Sequence, residues 1–235
     1  MKAIFKRELR SYFNNMTGFI FISIFLCFVG IFVMMYNFFY MSSSLVYSVA
    51  SMMPVLALLV PVITARSILA DRQSGADRLL YSLPITSAQA VLGKYAALLA
   101  VFALPVAFMA ILPPVVGLFG EVNMLSAYLA LADFFAFGAA LLALGMFISA
   151  VSKSALVSFC VSYGVVVALY ALNILSAALP SGSFFAGLLS YASMFGSTDS
   201  LMYGLFDIRA LLYYISIAAV FVFLTVRSFE KKRYV

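Results

Sequence analysis

The chain has 235 residues, 66% hydrophobic and 9% charged, against about 25% charged in an ordinary soluble domain. In water it would expose apolar patches larger than soluble monomers carry, which excludes a soluble globular domain, a disordered tail and a disulfide scaffold. It has no histidine, so histidine-based catalysis and metal sites are excluded too, and its two cysteines, Cys27 and Cys160, stand in apolar runs as small buried hydrophobes without companion ligands.

The expected fold is a single all-α polytopic membrane domain with the bilayer as its solvent. It opens with an amphipathic stretch, Met1 to Phe13. Ile4, Phe5, Leu9, Tyr12 and Phe13 share one helical face, and Lys2, Lys6, Arg7 and Arg10 surround the rest. That pattern suits an N-terminal helix lying in the cytoplasmic interface; a basic tail without fixed structure is the plain alternative. The first span follows over about 17–40, too long for a cleaved signal h-region and without a small-residue cleavage site. The second covers about 49–65 and carries Pro54 and Pro61. A charged loop, 66–93, leads to the third span at about 94–116, where Pro105, Pro113 and Pro114 bend or end the helix. The fourth, fifth and sixth spans fall at about 126–151, 155–179 and 210–226. Between the last two, 180–206 mixes Phe184, Phe185, Leu188, Met194 and Phe195 with glycines and serines. It is expected to form external re-entrant helices packed over the bundle, because irregular backbone at membrane depth needs protein or water against it.

Six spans put thirteen of the 14 Lys and Arg on one side and leave Arg209 on the other. The positive-inside rule makes that side cytoplasmic, with both termini on it. The net charge of +6 is then a topology signal. No soluble basic module exists to bind nucleic acid. The expected location is the cytoplasmic membrane, crossed several times.

The loop is the one segment rich in chemistry. Ser74 with Asp77 is a capping-box variant opening a short helix that presents Leu79, Leu80 and Leu83. Pro84 ends it. Thr86 with Gln89 is a second capping box, opening a helix that runs through Lys94 into the third span. A charged-flanked helix with a leucine ridge fits a docking element; leucines lying on the bilayer surface are the other reading.

These residues resemble the cytoplasmic loop of ABC-2 type ABC-transporter permeases: Asp71-Arg72, Gly75, Leu79-Leu80, Pro84 and Gly93-Lys94 match its loose pattern. The chain departs at Asp71, where Glu is usual, and at Ala76, where Thr is common. Gly138 and Gly145 with Phe147-Ile148-Ser149 resemble the family's fourth span, and Gly204, Phe206, Asp207 and the basic C-terminus its last part. The likeness spans almost the whole chain and is nearest the gliding-motility and NosY-like short permeases. It implies one membrane half of an ATP-driven exporter, paired with a second permease copy or paralogue. It also implies a separate ABC ATPase subunit that holds ATP and Mg and grips the loop at a coupling helix, Gly75 to Leu83, with Asp71, Arg72, Asp77 and Pro84 around it. The N-terminal helix with Lys6, Arg7 and Arg10 would lie at the same interface. No G-x-x-x-x-G-K-[ST] phosphate loop is present, so no catalytic residue, metal or cofactor of its own is expected.

Asp133 is the one ionisable residue well within a span. A mid-helix carboxylate costs about 2.5–3.5 kcal/mol to insert. It therefore lines a pathway or subunit interface, or is an outer-leaflet residue reached by water or bonded to a neighbour. Tyr36, Tyr40, Tyr128, Tyr203, Tyr213 and Tyr214 fall near outer span ends as an aromatic belt. Other function classes fit less well. An intramembrane protease lacks its second aspartate or its histidine. An ion-coupled carrier has only Asp133 to work with. A permease-like regulatory or immunity subunit would have the same sequence features as an exporter. The transported substrate has no signature here.

Overall fold

In hydrocarbon a backbone must satisfy its own polar groups, and each long apolar run of this chain does so as a helix. The structure, a computed structural model, describes residues 2–40, 42, 44–65, 67–69, 86–118, 122–179, 194–195 and 208–233. In chain order the helices are α1 (Lys2–Asn14), α2 (Thr17–Val33, continued by a π-helical turn over Met34–Phe39), α3 (Val46–Thr64), α4 (Ser87–Met109), α5 (Leu112–Gly117), α6 (Met124–Val151), α7 (Ala155–Ala178) and α8 (Ile208–Arg233). Among the described residues there is no strand. Six stretches are long and apolar enough to cross a membrane: Thr17–Phe39, Val46–Thr64, Ser87–Gly117, Met124–Val151, Ala155–Ala178 and Ile208–Lys231. The chain is a multi-pass membrane protein by this measure.

The third span is the one whose bounds differ most from the sequence reading. It starts at Ser87, because Thr86 caps the helix there, its Oγ1 accepting from the Gln89 amide at 3.3 Å. Pro105 stays inside the helix. The break comes at Ala110–Ile111, and Pro113 and Pro114 fall in the first turn of α5, where an amide proton has no helical partner to lose.

α6 is the central helix. Most of its apolar stretch is buried (78%), against 17% for α7 and for α8, and it packs against α3, α4, α7 and α8. Large rings from three helices fill one layer: Phe25 of α2, Phe102 of α4 and Phe134 of α6 lie with centroids about 6 Å apart. Phe102 also stacks on Phe135 at 5.5 Å. Gly138 makes room for this layer, since a Cβ there would run into the Phe102 ring. Seven residues on, two turns away on the same side, Gly145 lets α3 approach; its Cβ would stand 2.8 Å from Thr64 Cβ.

Two ring pairs set the direction of α8. Phe137 meets Tyr214 at 5.5 Å and Phe147 meets Phe221 at 5.7 Å, so both numbers rise together and α6 and α8 run parallel. Ser149 of α6 bonds to Ala65 just beyond α3, and Lys94 of α4 bonds to Glu8 of α1. These ties bring α1, the end of α3, the start of α4 and the ends of α6 and α8 to one end of the bundle. Lys6, Arg7, Arg10, Lys94, Lys153, Arg227 and Lys231 are all at that end; Arg209 is at the other.

The far end has its own tie. Asn37, in the π-helical turn, donates to the Ser42 carbonyl and accepts from Ser48 Oγ, both at 2.8 Å, closing the α2–α3 connection. Of the 180–206 segment the structure describes Met194 and Phe195. Both are buried. Phe195 packs on Phe137 and Tyr170, and the Met194 carbonyl accepts from Tyr214 Oη at 2.8 Å. The expected re-entrant helices fall on residues outside those described. The two cysteines differ from expectation. Both are exposed, on the outer faces of α2 and α7 that lipid covers in a membrane.

The glycine contacts give a stability contrast. Gly145→Ala should destabilise the detergent-purified protein by about 1–3 kcal/mol, as overpacking does, and so lower its melting temperature. Gly164→Ala, on α7 with nothing within 4 Å of its Cβ, should be neutral or slightly stabilising. Equal melting temperatures for the two variants would contradict the packing of α3 on α6.

Candidate functional site at the feet of the 66–85 connection

The segment between α3 and α4 is described at its two ends, Ala65 with 67–69 on one side and Thr86 on the other. The described structure places both feet, and both are held. After Thr64, whose Oγ1 bonds back to the Val60 carbonyl at 3.0 Å, the chain turns through Ser67, Ile68 and Leu69, all buried. Ser149 of α6 stitches this turn twice: its Oγ donates to the Ala65 carbonyl at 3.2 Å and accepts from the Ile68 amide at 3.3 Å. One hydroxyl thus satisfies the Ala65 carbonyl, an acceptor that the end of α3 leaves open, and the Ile68 amide of the turn.

The other foot is held by Lys94, on the second turn of α4. Its side chain is 2% exposed. A buried ammonium needs partners, and Lys94 has them on both sides. Nζ donates to the Ser67 carbonyl at 3.1 Å and to Glu8 Oε1 of α1 at 3.3 Å. Glu8 is itself mostly covered, and it also accepts from Arg7 at 2.6 Å. So α1, the first foot and the second foot meet at one ammonium, and Ser149 extends the contact to the central helix. The junction is largely buried, charged and tied to four helices. Such an arrangement transmits displacement, since its members cannot separate without stranding a buried charge.

Around α1 the face division is clean. Ile4 and Glu8 are buried, and Phe5, Leu9, Tyr12 and Phe13 are half-buried against α4 and α2. The helix therefore spends its apolar face on the protein itself. Lys6, Arg7 and Arg10 project on the opposite side and are exposed. Asp71, Arg72, Gly75, Asp77, Leu79, Leu80, Leu83 and Pro84 lie outside the described residues.

Asp133 is 2% exposed, one turn before Phe137 on α6. The α6–α8 pairing puts it level with the first turn of α8, where Arg209 stands. Arg209 and Asp133 thus share a depth at the end of the bundle opposite Lys94. Among the described residues no group of three His, Cys, Asp or Glu is placed to hold a metal. An apolar cavity between α2, α3, α5 and α6, lined by Val29, Val33, Met52, Pro113 and Leu131, amounts to about 10 Å³. That is room for one water at most.

Sequence reading had Lys94 as a basic residue opening the third span, within the Gly93-Lys94 of the loop pattern, and Ser149 within the resemblance of the fourth span; it gave neither a bonding role, and it missed Glu8 and Ser67. Glu8 carried a signal: it is the lone acid of α1, and it is placed on the apolar side, one turn from Ile4 and from Tyr12. Set against known proteins, the chain matches no family model and no curated protein.

Glu8 and Lys94 should be strongly coupled. Glu8→Ala alone strands the ammonium and should cost about 3–5 kcal/mol, as breaking one half of a buried pair does. Glu8→Ala with Lys94→Met should recover much of it. Additive losses in thermal melts of the four proteins would show that the pair is not the link between α1 and α4.

Proposed function

We propose that the chain is the membrane-spanning permease subunit of an ATP-driven ABC-2 type exporter. It works as a dimer, with itself or with a related permease, and a separate ATPase subunit docks on its 66–93 loop from the cytoplasm. The reading rests first on the loop pattern, Asp71-Arg72, Gly75, Leu79-Leu80, Pro84 and Gly93-Lys94. The single structural observation that carries it is the junction at Lys94. A loop that receives force from a partner needs rigid feet, and these feet are bonded to α1, α4 and the central helix within 3.1–3.3 Å.

Force applied at Leu79, Leu80 and Leu83 then reaches α4 as a lever and α6 through Ser149. The small cavity of the apolar core supports a pathway outside the protomer's centre, formed where two permeases meet. Hydrolysis belongs to the partner, since the chain has no phosphate loop of its own.

The test is expression with candidate ATPase subunits, followed by co-purification. Leu79→Asp with Leu80→Asp should abolish capture of the ATPase while leaving the helical content and elution volume of the permease unchanged. Full capture and full stimulation of ATP hydrolysis by this variant would refute the docking role of the loop.

A further inference from the structure

α1 has a second face that the junction does not use. Lys6, Arg10 and Asn14 form one row at i, i+4, i+8, with Arg7 and Ser11 in the next, and together they line a shallow groove on the exposed side. Every charged group of this groove is cationic. The helix's lone acid, Glu8, is turned inward to Lys94 and offsets part of the Arg7 charge. Lys6 and Arg10 form the more cationic edge.

That edge adjoins an apolar surface. Around the helix, Phe13 comes next to Lys6, and its ring meets Phe19 in the first turn of α2 edge-on at 5.2 Å. The chain reverses between α1 and α2 at Met16, which has φ 57°. Beyond the turn Met16, Phe19 and Ile20 are 68%, 55% and 50% exposed, on the outer face of a helix apolar enough to span a membrane. Two cations and an amide therefore stand at the head of an exposed apolar strip.

We propose that Lys6, Arg10 and Asn14 bind the phosphate headgroup of an anionic phospholipid whose acyl chains lie along Phe19 and Ile20 of α2. The charge selects the lipid: a zwitterionic headgroup brings its own ammonium and gains little from two cations, whereas phosphatidylglycerol or cardiolipin keeps net negative charge. A bound lipid here would brace α1 from the side opposite Glu8, holding the helix against α4.

The test uses the full chain, purified in a neutral detergent with a mixture of phosphatidylglycerol and phosphatidylcholine. Retained lipid is counted by native mass spectrometry. The wild type should retain phosphatidylglycerol preferentially. Lys6→Gln with Arg10→Gln should reduce that preference by about thirtyfold, since each of the two basic residues near a membrane surface contributes about 1 kcal/mol toward anionic lipid. Arg227→Gln, at the same end of the bundle on α8, should leave the preference unchanged. Circular dichroism and elution volume confirm that the variants are folded. The proposal is overturned if the wild type retains both lipids equally, or if the Lys6/Arg10 variant keeps the wild-type ratio; the latter result would leave this face to a partner protein.

Discussion

The buried ammonium of Lys94 is the constraint on which the described architecture turns. A charge with 2% exposure is tolerated only where partners surround it, and those partners come from different parts of the chain. Glu8 comes from α1, the Ser67 carbonyl from the turn after α3, and Nζ itself from the second turn of α4. Meeting that one electrostatic demand fixes the N-terminal helix, closes the end of the second span and aims the third. Nearby, Ser149 meets the backbone's demand at the same turn, and Gly145 admits α3 close enough for it to do so.

Inside the bundle, packing takes over from charge. α6 is surrounded on most sides, and the ring layer of Phe25, Phe102 and Phe134 fills the space between three helices. α7 and α8 present most of their surface outward. Water would not tolerate that much apolar surface, and a bilayer meets it with lipid. A packed central helix with a polar, bonded junction at one end fits the rigid body that the proposed exporter reading calls for.

Much of the fold was legible in the sequence because the bilayer imposes one simple rule. Runs of about 20 apolar residues must become helices, and five of the six spans fall within a few residues of their expected bounds. The cap at Thr86 was readable from Thr86 and Gln89 alone. What the sequence hid was pairing between distant positions. Nothing local to Lys94 names Glu8, 86 residues away, and a serine such as Ser149 has no sequence mark that separates a stitch from a packing residue. The exposed positions of Cys27 and Cys160 were hidden for a related reason: in a membrane protein an apolar run faces lipid as readily as core, so hydrophobicity does not report burial. The loop residues from Asp71 to Pro84 belong to the sequence argument alone.

The central claim is that Lys94 locks α1 to the feet of the loop, and a distance measurement tests it directly. Spin labels at Ser11→Cys and Gln89→Cys, with Cys27→Ala and Cys160→Ala removing the native thiols, report the α1–α4 separation in the membrane-reconstituted protein. The account predicts one narrow distance distribution, and a broad one when Lys94→Met is added. A distribution equally narrow without the ammonium would contradict it.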